Sequence, residues 1–253
     1  VDLAELLGGR VQQAALALAV DDEHVALAGG RGLVHLGDCK ARARLRRLVG
    51  LGIAAAAAVT VHARAGDAVA AAGGERGLIA SDVVDALRTI LAEAAGPVFV
   101  MCDSSAGALV LCACAQLKRE GHRLPDRLVC LSVLTDLAMT GRSHVSNAEA
   151  DPLFGPQAVM HKIFHYLQGA NPAQATASPF WDAPAALPDS LFIVGSTEVL
   201  RDDTLRYAEK AERAGTRVKV AVYEDAPHVF PLVPGLPEAD QAIAEIADFL
   251  RAG

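Results

Sequence analysis

The sequence lacks the features that mark several large protein classes. Basic side chains are in the minority, with 23 Lys and Arg against 30 Asp and Glu, for a formal charge of −7. An acidic surface of this kind repels a phosphate backbone, so no nucleic-acid partner is expected. The basic stretch Lys40 to Arg47 reads as a solvated helix face. Long hydrophobic runs are missing too. The most apolar tract, Ile53 to Val61, has nine residues and is mostly alanine, against the roughly 20 needed to cross a bilayer, so no membrane span is expected. The cysteines (Cys39, Cys102, Cys112, Cys114 and Cys130) are five, an odd number, and most lie in apolar runs where a free thiol behaves as a small core residue. Val1-Asp2-Leu3-Ala4-Glu5 offers neither the basic start nor the apolar stretch of a secretory signal. A reducing cytoplasm is therefore the expected compartment, although a leader removed before Val1 would leave the same sequence. Repeats and interdomain linkers are also missing. With 253 residues, 52% hydrophobic and 21% charged, the composition suits a single globular domain over 1–253 and excludes collagen, coiled coil and disorder.

Short apolar, largely β-branched runs alternate with helix-like stretches. Val98 to Met101, Leu128 to Val133, Leu191 to Val194 and Val218 to Tyr223 read as strands, the first three nearly continuous in apolar character, as in strands covered on both faces. Helices are expected over Ser81 to Ala95 with Ser81 as N-cap, Leu109 to Glu120, Thr204 to Ala214 and Ala239 to Arg251. The alternation implies right-handed crossovers and an α/β fold with a mostly parallel sheet. The first 75 residues carry weak strand signals at Val25 to Leu27 and Ala57 to Val61. Residues 139–190 hold five of the eleven aromatics between Phe154 and Trp181, beside several prolines. This segment is expected to form a lid that supplies an apolar pocket wall through Phe154, Phe164 and Trp181, or else an ordinary helix at Gln157 to Leu167 packed on the sheet.

Pro97 to Gly121 runs from a buried strand through Cys102-Asp103-Ser104-Ser105-Ala106-Gly107 into a helix. A strand–turn–helix of this form presents a serine beyond the carboxyl end of a sheet, and the sharp turn demands small residues two before and two after the nucleophile. Cys102 and Ala106 meet that demand for Ser104, whereas Ser105 would be flanked by Asp103 and Gly107. Ser104 is therefore preferred, with Ser105 the alternative. A hydroxyl needs an imidazole to take its proton and a carboxylate to orient that imidazole. Glu198 follows one expected strand and His228 the next, so both should arrive at the same sheet edge. Asp202 and Asp203 are fallback acids or caps of the helix from Thr204, and a turn histidine held by Asp225 is the plainer reading of His228.

These segments resemble the bacterial hormone-sensitive-lipase-like esterases of the α/β-hydrolase fold. The nucleophile turn is similar to the family's Gly-Asp-Ser-Ala-Gly-Gly. Leu187 to Phe230, with G-S-T-E-V-L-R-D-D and A-P-H-V-F, is similar to its Gly-x-x-Asp/Glu-x-Leu-x-Asp segment and its Pro-His-x-Phe turn. The likeness runs from about Ala80 to the C-terminus. It implies helices on both faces of the sheet, a reduced or atypical N-terminal cap, Ser104 as nucleophile, His228 as general base and Glu198 as acid. It also implies an oxyanion site built from the amide of Ser105 with Gly29 and Gly30 of Ala28-Gly29-Gly30-Arg31-Gly32, where the family's His-Gly-Gly-Gly histidine is absent. The expected activity is hydrolysis of small to medium acyl esters through an acyl-enzyme, with no cofactor and no metal. The alternative is a non-hydrolytic relative that binds an apolar small molecule. By the same likeness a homodimer is expected through Val218 to Tyr223 and the C-terminal helix.

Two further groups carry less. His161 and His165 stand at i and i+4, the spacing of a metal pair, but lack the glutamate of a zinc-hydrolase helix, so a half-exposed helical pair is expected. Cys112 and Cys114, two apart on a helix, cannot face each other and form no redox pair.

Overall fold

The computed structural model describes residues 15–19, 80–183, 187–233 and 235–252. Its centre is a sheet of five strands, β1 (Ala15–Ala19), β2 (Val98–Asp103), β3 (Arg127–Leu131), β4 (Asp189–Gly195) and β5 (Val218–Tyr223), lying side by side in that order. β2 to β5 are parallel and β1 pairs antiparallel with β2. The main helices are α1 (Ala80–Glu93), α2 (Ala106–Arg119), the short α3 (Ser143–Ser146), α4 (Pro156–Leu167), α5 (Arg201–Arg213) and α6 (Pro237–Arg251).

Strand alternation sorts the core into two layers. Val98, Val100 and Cys102 of β2, Leu128 and Cys130 of β3 and Phe192 of β4 pack with α1, α2 and α5. Phe99, Met101, Val129, Leu131, Leu191 and Ile193 point the other way, to Ala242 and Ile246 of α6 and to Phe230. Helices therefore cover both faces, as a parallel sheet requires. β2, β3 and β4 are buried almost throughout, whereas β5 alternates between half-buried and exposed. A third cluster, Leu134, Leu137, Val159, Ile163, Val199 and Leu200, seats α4 over the ends of the strands.

The four expected strands and the helix beginning at residue 156 or 157 lie where the sequence puts them, within two residues at each end. All four remaining helix starts differ, the last by two residues, since α6 begins at Pro237 rather than Ala239. α1 begins at Ala80, so Ser81 lies within it rather than capping it. α2 begins at Ala106, directly at the turn, because the turn itself supplies the first helical geometry. α5 begins at Arg201 with Asp202 and Asp203 already in its first turn. Neither carboxylate caps that helix. Asp203 accepts the amides of Thr135 and Asp136 at 3.1 and 2.8 Å, and Asp202 those of Arg142 and Ser143 at 2.8 and 3.1 Å. β1 is a strand that its Ala-Leu composition does not announce. The weak strand signals at Val25 to Leu27 and Ala57 to Val61 fall outside the described residues.

Candidate active site

The parallel register aligns Asp103 with Leu131 and Leu131 with Ile193, so the chain leaves β2, β3 and β4 along one edge. Ser104 is the first residue after β2 and holds φ at +53°. Its amide donates to Leu131 O at 2.9 Å, and its carbonyl accepts from Leu134 N at 2.9 Å and Gly107 N at 3.1 Å. Those bonds hold a left-handed backbone that costs a non-glycine residue about 1–3 kcal/mol. The small flanks behave as the sequence reading requires, with Cys102 and Ala106 buried. A hydrogen bond with Cys130 and burial raise the Cys102 thiol well above its ordinary pKa, so it stays neutral and acts as packing. Gly107 adds a constraint the sequence reading did not single out. A Cβ there would run into the side chain of Val133, which closes the turn from the β3 side.

Ser104, Glu198 and His228 come together. His228 Nε2 lies 3.0 Å from Ser104 Oγ, and His228 Nδ1 lies 2.8 Å from Glu198 Oε2. Glu198 is completely buried and His228 nearly so. Asp225 holds φ at +54° and its amide donates to Ser196 Oγ, so the partner of His228 is Glu198 rather than Asp225. The other oxygen of Glu198 accepts the amide of Gly195 at 2.6 Å and the hydroxyl of Ser132 at 2.7 Å. An ionised carboxylate at this depth needs such donors, since an uncompensated buried charge is costly.

Ser132 is the residue that sequence reasoning missed. It is buried, holds φ at +49°, and its Oγ also accepts the amide of Val229 at 3.0 Å. One hydroxyl therefore joins the acid to the residue after His228. The available signal was its position directly after β3, at the level of Ser104, but the sequence reading ran that strand on to Val133. The loops carrying Glu198 and His228 are also in backbone contact. A Cβ on Gly195 would collide with the carbonyl of Ala226, and Thr197 Oγ1 donates to that same carbonyl at 3.0 Å.

The segment expected to form a lid clasps the acid loop. Asn147 Nδ2 donates to Ser196 O and Glu198 O, both at 2.9 Å, and Asp151 accepts the amide of Val199 at 2.9 Å. Asp151 also accepts the amides of Leu153 and Phe154, which bends the chain so that Phe154 meets His228 edge-on, with centroids 4.8 Å apart. Phe164 and Trp181 are placed elsewhere. α4 buries Val159 and Ile163, which turns Phe164 outward to 72% exposure. Trp181 packs on Phe180 and donates Nε1–H to Asp136 at 2.8 Å. Ser105 stands at the start of α2, where backbone amides lack intrahelical partners. Gly29 and Gly30 lie outside the described residues. The described residues contain no group of three or more His, Cys, Asp or Glu able to hold a metal and no helix long and apolar enough to cross a membrane.

Comparison with known proteins agrees with the α/β fold. A family model for the alpha/beta hydrolase fold matches residues 78–232. An esterase of Acinetobacter venetianus is 33% identical over 171 residues, covering 66% of this chain and 56% of its own. An acetyl-hydrolase of Streptomyces hygroscopicus is 34% identical over 173 residues, covering 67% and 58%. The crystal structure of an esterase from the bacterial hormone-sensitive lipase family superposes with a TM-score of 0.65 at 39% identity, covering 68% of this chain and 59% of that one. The chain thus spans somewhat over half the length of the relatives it matches.

Proposed function

We propose that this chain, which belongs to the alpha/beta hydrolase family and within it to the hormone-sensitive-lipase-like esterases, is a serine carboxylic-ester hydrolase acting on small to medium acyl esters. The observation that carries the reading is the unbroken contact from Ser104 Oγ through His228 to Glu198. In this mechanism Nε2 of His228 takes the proton of Ser104 as Oγ attacks the ester carbonyl. Glu198 holds the Nδ1–H and stabilises the imidazolium, and the proton then passes to the leaving alkoxide. The acyl-enzyme on Ser104 is cleared by a water activated in the same way. The amide of Ser105 donates to the developing oxyanion, a contribution of about 3 kcal/mol for one such donor. Gly29 and Gly30 supply the rest by their likeness to the family's glycine loop. Phe154, against His228, lines the acyl side. The acetyl-hydrolase among the relatives supports a short acyl group.

A fluorophosphonate probe tests this reading. Labelling of the parent chain that disappears in Ser104→Ala supports it, and hydrolysis of p-nitrophenyl esters graded in chain length then gives the acyl preference. Labelling that survives Ser104→Ala but is lost in Ser105→Ala transfers the role to Ser105. A silent parent that binds an apolar ligand would make the chain a non-hydrolytic binding protein. A homodimer through β5 and α6 belongs to the same proposal, supported by the half-exposed Val220 and Val222 on β5. Light scattering that returned the mass of one chain would remove it.

A further inference from the structure

We propose that His161 and His165 form a two-ligand clip for a divalent transition-metal cation, copper(II) foremost, on the outer face of α4. The helix is fixed in rotation because Val159 and Ile163 are buried beneath it, which leaves both imidazoles in solvent one turn apart. Their rings are nearly perpendicular at 83° with centroids 4.4 Å apart, and the two Nε2 atoms approach to 3.1 Å. That separation is the bite of two cis ligands. With metal–nitrogen bonds of about 2.05 Å it closes an angle of about 98°, nearer a tetragonal site than a tetrahedral one. Imidazole nitrogen suits copper, nickel and zinc alike, and the Irving–Williams order places copper first.

A proton shared between the rings would occupy the same position. In solvent such a hydrogen bond contributes little net free energy, so a cation displaces it readily. Among the described residues no third His, Cys, Asp or Glu completes a metal-holding group, so water fills the remaining positions and the affinity is modest. The clip joins successive turns of α4 just before Gln168, where the helix ends in a left-handed residue. Occupancy therefore stabilises the segment that covers the strand ends. The proposal stands independently of the reading of Ser104, Glu198 and His228.

The test is calorimetric titration of the full chain with copper(II), nickel(II) and zinc(II) chlorides in a non-chelating buffer. The expected result is a one-to-one event, tightest for copper, that weakens at least tenfold in His161→Ala and again in His165→Ala but persists in His122→Ala and His228→Ala. The copper spectrum by electron paramagnetic resonance should show two equivalent nitrogens, and copper should raise the melting temperature of the parent but not of either clip variant. Both substitutions are at solvent-facing helical positions, where alanine is the better helix former, and His161→Gln repeats the measurement should alanine perturb the fold. An isotherm unchanged in His161→Ala or His165→Ala, one that depends on His122 or His228, or no binding by the parent overturns the proposal.

Discussion

At the scale of single residues, the site is a set of side chains whose positions depend on one another. Replacing His228 with alanine should lower kcat by about 10⁴- to 10⁶-fold, the usual loss when the base of such a relay is removed, measured on a p-nitrophenyl ester with folding checked by circular dichroism. Ser132 makes a subtler demand. Its hydroxyl donates to buried Glu198 and receives the amide of Val229, so Ser132→Ala should reduce kcat by about 10- to 100-fold, in line with the worth of a hydrogen bond to a charged group, while KM stays within a factor of two. Ser132→Gly should lose the same activity while tolerating the positive φ better. Equal activity in either variant would show that Ser132 does not steady the acid. Ser104, Glu198 and His228 were legible because each ends or follows an apolar run with a recognisable neighbour pattern. Ser132 and Gly107 were not, since their roles arise from contacts across strands that local patterning does not encode.

Among the elements, the loops after β4 and β5 act as a pair. Gly195 faces the carbonyl of Ala226, with no room for a methyl group, so Gly195→Ala should push the two loops apart. Overpacking of this kind costs about 1–3 kcal/mol, and the variant should show both a lower melting temperature and slower fluorophosphonate labelling. A fall in stability with labelling unchanged would mean that the loops move as one body. Asp136 governs the base of the covering segment. Burial alone would push its carboxyl up, but hydrogen bonds from Thr140, Trp181 and nearby amides outweigh that and hold it below the ordinary aspartate value. Because the folded form binds its proton less readily, the stability it confers is complete above the unfolded value of about 3.9 and disappears as pH falls through the folded one. Trp181, the single tryptophan, donates to Asp136, so its emission should report this acid transition, and Asp136→Asn should flatten the transition. Helix and strand positions in this part of the chain follow from hydrophobic period. The tasks of Asp202 and Asp203 do not, because short acids at a helix start look like caps whether they bind their own helix or a distant loop.

For the molecule as a whole, a sheet covered on both faces supports three loops at one edge, and the α/β class could be read directly from the strand–helix alternation. The N-terminal third was opaque for a compositional reason. Alanine and glycine give neither a strand nor a helix period, so even β1, Ala-Leu-Ala-Leu-Ala, carries no distinguishing signal. Cys102, Cys114 and Cys130 are core components, and Cys112 is part-buried with its thiol donating to Ala175 O. Burial pushes the Cys112 thiol up to about 12, so iodoacetamide at pH 8 should leave the Cys112 peptide unmodified in the native protein and alkylate it after denaturation, as read by mass spectrometry. Asn147 and Asp151 belong to the segment expected to form a lid, yet they grip the backbone on either side of Glu198. Exchanging 142–151 to alter the proposed acyl preference would therefore loosen the hold on Glu198 in the same stroke. Libraries meant to retune selectivity belong at the exposed positions of α4, which make none of the hydrogen bonds that moor the carboxylate.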